Sequence, residues 1–199
     1  LSFSIEAIGK TGHVAYPHLA KNPITSLSYV CNRLNNLNLK LTAKNFPETN
    51  LEITSIDTGN TASNVIPSKC KAFINIRYNT RYNEKVLLKK IKNIFSKTQC
   101  SFRIKVISSN KPFYTKPDGF LKLLEKSIYK ITNKRPILST TGGTSDARFI
   151  KKIAPCLEFG LVNKTMHKID ECVSLKDLKN LKKIYQNILE DYFRWSFIK

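Results

Sequence analysis

Residues 139–171 concentrate the side chains that could do chemistry on an anionic substrate. The segment 139–150 reads STTGGTSDARFI and holds small hydroxyl residues, two adjacent glycines, an acid and Arg148. Glycines permit positive φ and let a ligand approach the backbone closely, and the free amides of a following helix favour an anion. Arg148 could hold a carboxylate through two parallel hydrogen bonds. The pattern predicts an anion-binding turn, with an ordinary capped strand-to-helix turn as the alternative.

His167 lies further along the same stretch, in a polar loop that follows the apolar run 153–159. Imidazole is a common zinc ligand, and Asp170 and Glu171 stand close behind it. No second histidine or carboxylate stands at ligand spacing in the same element, so co-ligands would have to come from distant or absent sequence. His167 is therefore a candidate metal ligand, and a surface histidine is the alternative.

Three further candidates precede this stretch. His13 lies in the segment GHVAYPH, where it could simply be solvated, and Asn64 lies in ASNVIP and is unremarkable by itself. Arg77 is predicted in the middle of a strand between apolar neighbours, so it needs either a substrate acid or a buried ion-pair partner. A serine or cysteine hydrolase is weakly supported, because the sequence has no Gly-x-Ser-x-Gly elbow and no cysteine with an obvious histidine partner.

The first half of the chain supplies the elements that must carry His13, Asn64 and Arg77. Alternation of apolar and polar residues predicts strands, and apolar residues three or four apart predict helices. The predicted strands cover 2–8, 51–57, 70–78 and 102–108, and the predicted helices cover 23–39 and 83–97. This β-α-β-β-α-β order is that of a ferredoxin-like domain, which we expect over residues 1–109.

The second half, residues 110–199, has a different order and follows a polar boundary segment that contains two prolines. Its predicted elements are a helix over 120–131, a strand over 137–140, a short helix around Arg148, a strand over 155–159 and a helix over 175–192. Alternating elements of this kind are typical of an α/β layer structure. The expected fold class is therefore mixed: a ferredoxin-like α+β domain followed by part of an α/β domain.

The composition indicates the cellular compartment of the protein and the classes of partner that it can bind. No apolar run approaches the about 18–20 residues of a membrane span, and the five scattered cysteines indicate reduced thiols in the cytoplasm. The formal net charge of +20 suggests a nucleic-acid binder, but the lysines fall on predicted solvent faces of helices, without interleaved aromatic residues. We therefore expect neither a membrane nor a nucleic-acid partner. Because the chain lacks an initiator methionine and opens in a strand, we interpret it as a fragment.

Four segments of the sequence together resemble the succinyl-diaminopimelate desuccinylases, a group within the M20 family of dinuclear zinc amidohydrolases and peptidases. The segments are GHVAYPHLA at 12–20, SNVIP at 63–67, STTGGTSDARFI at 139–150 and NKTMHKIDE at 163–171. They occur in the family's order along the whole chain. Three residues depart from the family pattern: Ala147 replaces a glycine, Leu161 a proline and Asp170 an asparagine.

The resemblance implies hydrolysis of N-succinyl-LL-2,6-diaminopimelate to succinate and LL-2,6-diaminopimelate, for lysine and diaminopimelate biosynthesis. It implies two zinc ions for each complete subunit, with cobalt as a possible substitute, and a homodimer formed through residues 1–109. By this resemblance His167 would ligate one zinc, and His13 would stabilise the oxyanion in the partner subunit's site with the help of Asn64. The implied substrate-binding residues are Tyr16, Arg77, Ser109, Thr141, Gly142, Gly143 and Arg148.

The resemblance also implies that the remaining metal ligands and the general base lie in a first half of the catalytic domain that precedes Leu1. We therefore expect this segment alone to be inactive, with His167 as its only metal ligand. Two alternatives stay open. One is another M20 deacylase, such as an acetylornithine deacetylase or an aminoacylase, and the other is a non-catalytic dimerisation remnant.

Overall fold

A computed structural model describes residues 1–116, 118–142 and 145–196 of the chain and divides it into two units, Leu1–Phe113 and Tyr114–Lys199. Each unit has its own hydrophobic core. The division after Phe113 falls within the proline-containing segment between the two predicted domains. No helix among these described residues is both long enough and apolar enough to cross a lipid bilayer.

Six strands and two α-helices make up the first unit. The strands are β1 (Ser2–Ile8), β2 (Gly12–His13), β3 (Asn50–Asp57), β4 (Val65–Ile66), β5 (Lys69–Arg77) and β6 (Ser101–Ser108), and the helices are α1 (Pro23–Asn35) and α2 (Glu84–Phe95). Four of the strands form one antiparallel sheet in the order β3-β5-β1-β6, while β2 and β4 pair separately. The four long strands confirm the alternation seen in the sequence.

The core of the first unit lies between the sheet and the two helices. Phe3, Ile5 and Ala7 of β1 have no exposed surface, because successive side chains of a strand point to opposite faces and these three share one face. They pack in one cluster with residues such as Leu27 of α1 and Leu87 of α2. Both helices therefore pack against the same face of the sheet, the one that carries these three side chains.

The first helix is shorter than its sequence pattern predicts, because α1 ends at Asn35 rather than near residue 39. Its start is fixed by Asn22, whose side chain accepts a hydrogen bond from the amide of Ile24. At its end both the backbone amide and the side-chain amide of Asn36 donate to the Asn32 carbonyl, at 3.2 and 2.9 Å. Leu39 is still buried in the core, so its apolar character reflects packing beyond the helix.

The second unit contains α3 (Gly119–Thr132), the single turn α4 (Ala147–Ile150) and α5 (Leu175–Ser196). Asp118 caps α3 by accepting a hydrogen bond from the amide of Leu121 at 3.1 Å. The core of the unit lies between α3 and α5. The buried residues of this core are Leu124, Ile128, Ile184 and Ile188. The three helices confirm the helical spacing seen in the sequence.

The strands predicted over 137–140 and 155–159 are wrong, because neither segment is a strand in the described part of the second unit. A strand needs a neighbouring strand to accept and donate its backbone hydrogen bonds. The described residues of the unit offer no such ladder, and Ile137 is 92% exposed. In the second segment Leu157 and Phe159 pack partly against the α3–α5 core instead.

Candidate functional site

His13, Tyr16 and Asn64 lie together on a small projection of the first unit, which we name the His13 lobe (residues 11–20 and 64–66). The pairing of β2 with β4 builds it, with Gly12 opposite Ile66 and His13 opposite Val65. The amide of Val14 donates to the Asn64 carbonyl at 3.1 Å. Two segments about 50 residues apart in sequence are thereby fixed beside each other, which the sequence pattern alone did not indicate.

The imidazole of His13 is held in a defined orientation by its own loop. Its Nδ1 accepts a hydrogen bond from the amide of Ala15 at 3.1 Å, while the amide of Tyr16 donates to the His13 carbonyl at 2.9 Å. In a neutral imidazole with Nδ1 as acceptor, the proton is carried by Nε2. With Nδ1 occupied within the loop, Nε2 is the nitrogen of this exposed imidazole that can donate to a bound molecule.

Arg77 and Ser109 lie at a different place in the same unit. Arg77 is the last residue of β5, opposite Asn50 of β3, and its side chain is exposed. The prediction that Arg77 lies in the middle of a strand is therefore wrong, because β5 ends at this residue. Ser109 directly follows β6, and its side chain hydrogen-bonds Tyr78.

Tyr78 fixes the segment that contains Ser109. Its hydroxyl donates to the Asn110 carbonyl at 2.9 Å. Burial raises the pKa of Tyr78 above its ordinary value, and the hydrogen bond with Ser109 partly opposes this rise. The hydroxyl thus stays protonated, as a donor must, well beyond neutral pH. Sequence analysis missed this supporting residue, whose only signal was its position next to Arg77.

The two groups of the first unit lie at opposite ends of the sheet. The His13 lobe adjoins the start of β5, because Ile66 of the lobe comes three residues before Lys69, and Lys69 pairs with Ile8 at the end of β1. Arg77 ends the nine-residue strand β5. At a rise of about 3.3 Å per residue, the two ends of β5 are about 26 Å apart. Within one copy of the unit, His13 and Arg77 cannot contact the same small molecule.

In the second unit the predicted anion-binding turn is organised by its own hydroxyl groups. The Ser139 hydroxyl accepts from the Thr141 amide at 3.0 Å and lies 2.6 Å from the Thr141 hydroxyl. Gly142 has φ of +126°, a conformation that favours glycine. Ser145 accepts from the Ala147 amide at 3.1 Å, but Asp146 is the N-cap residue of α4, and its side chain makes no capping hydrogen bond within the described residues. Gly143 and Thr144 lie outside the described residues.

Arg148 is the candidate cation beside this turn. Its guanidinium lies 4.6 Å from the centre of the Phe149 ring. Its Nε is buried without a hydrogen-bond partner among the residues that the structure describes. An unpaired buried donor costs about 1–3 kcal/mol, which an anionic ligand could recover. Because α4 has only four residues, its dipole contributes little, and anion binding here would depend on Arg148 and the glycine turn.

His167 lies in a loop of turns with an exposed imidazole. Its φ is +61°, and that of Asp170 is +59°, which is uncommon for residues other than glycine. The Thr165 hydroxyl spans this loop by bonding to both backbone groups of Cys172. Sequence analysis missed the role of Thr165, although the residue stands inside the segment that resembles the family's terminal metal-ligand motif.

A metal ion fits these residues only in part. The exposed His167 imidazole could take one coordination position, since neutral imidazole is a common zinc donor. No group of three or more His, Cys, Asp or Glu side chains that could hold a metal occurs in ranges 1–116, 118–142 and 145–196. The described chain therefore supplies one ligand candidate, and the assignment of all these site residues stays a prediction.

Comparison with known proteins gives a family match for the first unit and named relatives for nearly the whole chain. A family model described as the M20 peptidase dimerisation domain matches residues 1–101. The chain is 49% identical over 197 residues to a succinyl-diaminopimelate desuccinylase of Pelagibacter ubique, covering 97% of this chain and 51% of the relative. A desuccinylase of Ehrlichia chaffeensis is 42% identical over 196 residues, covering 98% and 51%. The chain thus spans about half the length of these curated relatives.

Solved structures give a consistent fold. A tripeptidase from Staphylococcus aureus matches with a TM-score of 0.75 at 20% identity, covering 94% of this chain and 50% of that structure. A dipeptidase from Saccharomyces cerevisiae matches with a TM-score of 0.77 at 13% identity, covering 96% and 53%. At these identities the likeness concerns the mixed α/β fold alone.

Proposed function

Because the chain belongs to the M20 peptidase dimerisation-domain family, we propose that it is part of a succinyl-diaminopimelate desuccinylase that acts as a homodimer. The enzyme would hydrolyse the amide of N-succinyl-LL-2,6-diaminopimelate in the cytoplasm. Relatives at 40–49% identity carry that name. The sheet order β3-β5-β1-β6 with two helices on one face supports a ferredoxin-like assignment for the first unit.

The observation that carries the proposal is the separation of the two residue groups in the first unit. A single substrate cannot reach His13 and Arg77 of one copy, since the ends of β5 are about 26 Å apart. Two copies related by a two-fold axis remove the conflict, because the His13 lobe of one copy can enter the site of the other. Each site would then take Arg77 and Ser109 from one subunit and His13, Tyr16 and Asn64 from its partner.

His13 would act as the donor to the oxyanion that forms when water attacks the amide carbonyl. The hydrogen bond from Ala15 to Nδ1 supports this role, because it leaves Nε2–H as the donor. A donor fixed before the reaction stabilises charge that develops only in the transition state, which is worth about 2.7–4 kcal/mol. Asn64 and Tyr16 would hold the substrate beside this donor.

The arginines and the glycine turn would bind the carboxylates of the substrate. Arg148 has a buried Nε without a partner among the described residues, and a carboxylate can satisfy it with a charge-assisted hydrogen bond. Gly142, at positive φ and with open space around its Cα, would let the substrate approach the backbone. These carboxylate contacts would position the amide for attack.

His167 would occupy one ligand position of a metal centre whose other ligands lie outside the described residues. A bound zinc or cobalt ion supplies a Lewis acid and a more acidic water molecule. The residues of this chain would then orient the substrate and stabilise the oxyanion. As a single imidazole cannot hold two metal ions, we expect the 199-residue chain alone to be inactive.

The proposal is tested in an enzyme of full family length, made by joining this chain to the part of the Pelagibacter ubique relative that it does not match. We call this protein the joined enzyme. His167→Ala should lower its zinc content, measured by atomic emission. His13→Ala should keep the zinc and lower kcat by about 10²–10³-fold. Equal loss of zinc in both variants would contradict these roles.

Mixing the two inactive variants tests the shared site directly. If His13 acts in the partner's site, a mixed dimer has one site with both histidines intact. Random exchange of subunits should therefore restore about a quarter of the parent activity. If both histidines serve the same subunit, mixing restores nothing. Acetylornithine assayed beside succinyl-diaminopimelate separates the desuccinylase from the alternative M20 deacylases.

A further inference from the structure

The loop that carries His167 is closed by one side chain. The Thr165 hydroxyl donates to the Cys172 carbonyl at 2.8 Å and accepts from the Cys172 amide at 3.0 Å. Both backbone groups of Cys172 are thereby satisfied by a single residue seven positions earlier. Cys172 is exposed and Thr165 is half-buried, so this contact ties a surface loop to itself.

The backbone within this closed loop has an unfavourable conformation at two positions. His167 and Asp170 have φ of +61° and +59°, and such strain persists only where surrounding contacts impose it. Inside the loop, the amide of Lys168 donates to the Thr165 carbonyl at 3.0 Å. Thr165, two residues before His167, therefore bonds through its carbonyl and its hydroxyl to two residues that follow His167.

We propose that Thr165 is a positioning residue for the imidazole of His167. This inference rests on the proposed function, in which His167 is a metal ligand. Loss of the closure would let the His167 backbone relax to negative φ, and the direction of its Cα–Cβ bond would change with it. The imidazole would then have to be ordered anew each time a metal ion binds, which weakens the affinity.

Two substitutions separate the hydroxyl from the rest of the side chain. Thr165→Val keeps the branched shape and removes both hydrogen bonds, whereas Thr165→Ser keeps the hydroxyl. Thr115→Val is the matched control, because the Thr115 hydroxyl donates to another cysteine carbonyl of the same unit, that of Cys156, at 2.7 Å. The controls distinguish a specific effect on His167 from a general loss of stability.

Hydrogen exchange of the 199-residue chain, which needs neither metal nor activity, tests the closure. Thr165→Val should speed exchange of the Cys172 amide by about tenfold, and Thr165→Ser should leave it near the parent rate. Exchange at Ile184, in the α3–α5 core, should stay unchanged in both variants. An unchanged Cys172 rate in Thr165→Val would overturn the inference.

Zinc affinity of the joined enzyme, measured by competition with a chelator, tests the positioning. Thr165→Val should weaken binding by about 10–100-fold, as substitutions behind metal ligands do, while Thr165→Ser and Thr115→Val bind as the parent does. If His167→Ala loses zinc but Thr165→Val keeps full affinity, only the positioning role is wrong. If His167→Ala keeps its zinc, the proposed function fails and the positioning role fails with it.

Discussion

Replacement of Gly12 by alanine should loosen the His13 lobe. A Cβ added at Gly12 would lie 2.7 Å from the Cβ of Ala20. Carbon atoms in contact prefer separations of about 3.5–4.0 Å, so one side of the contact must move by about 1 Å. Gly12 pairs with Ile66 in the ladder that holds the lobe, and this movement therefore acts directly on the position of His13.

The cost can be bounded from the contacts that hold the lobe. Inserting a methyl group into a packed site costs about 1–3 kcal/mol. The lobe can yield instead by breaking the bond from Val14 to the Asn64 carbonyl and that from Thr11 to the Ile66 carbonyl, which are worth about 0.5–1.5 kcal/mol each. Both responses therefore cost about 1–3 kcal/mol, and we expect a total of about 2 kcal/mol, expressed as opening of the lobe.

The assay is hydrogen exchange at the Val14 amide, whose bond to Asn64 reports closure of the lobe. Gly12→Ala should speed this exchange by about 10–30-fold. The double variant Gly12→Ala/Ala20→Gly removes the clashing methyl group and should recover most of the protection, apart from the smaller cost of glycine at position 20. Gly160→Ala is the control, because a Cβ there meets nothing within 4 Å.

Two outcomes would refute this reasoning. Parent-like exchange at Val14 in Gly12→Ala would mean that the lobe absorbs the methyl group without opening. Equal exchange in Gly12→Ala and in the double variant would mean that Ala20 is not the obstacle. A coupling free energy between Gly12→Ala and Ala20→Gly of less than about 0.5 kcal/mol in the double-mutant cycle would also show that Ala20 is not the obstacle.

Two further predictions concern the core of the first unit. Asn79→Ala should lower the free energy of unfolding by about 2–3 kcal/mol in urea titrations, because the side chain is 2% exposed and bonds to the Leu41 carbonyl and the Arg81 amide; a change below about 0.5 kcal/mol would contradict it. Burial raises the pKa of Cys31 and Cys70, so their protonated forms stabilise the fold and this stability should be lost as pH rises beyond about 8.5. The free energy of unfolding should fall less between pH 7.5 and pH 9.5 in Cys31→Ala/Cys70→Ala than in the parent chain. An equal fall in the two proteins would refute this prediction.

The elements of the first unit could be predicted because their signals are local and repeated. Alternation over residues 2–8 fixes which side chains of β1 share a face, and Phe3, Ile5 and Ala7 are indeed fully buried together. The same logic failed over 137–140 and 155–159. Apolar residues can mark a strand, but its hydrogen bonds require a neighbouring strand that the described part of the second unit does not supply.

The residues of the candidate site also fall into those that the sequence could indicate and those that it could not. Residue type and motif resemblance indicated His13, Asn64, Arg77, Arg148 and His167, because the chemistry of imidazole, amide and guanidinium groups belongs to the side chains themselves. The sequence could not indicate Thr165 or Tyr78 as supports, since a hydrogen bond between a hydroxyl and a distant backbone group leaves no periodic pattern.

The sequence by itself determined the chemical groups, the helices and the faces of the strands, all of which depend on side-chain identity and on short-range spacing. Only the tertiary structure decided how these groups are distributed in space. The antiparallel pairing of β1 with β5 places the His13 lobe and Arg77 at opposite ends of one sheet. That separation depends on strand register, a non-local property, and it is the reason why the proposed site requires a second copy of the chain.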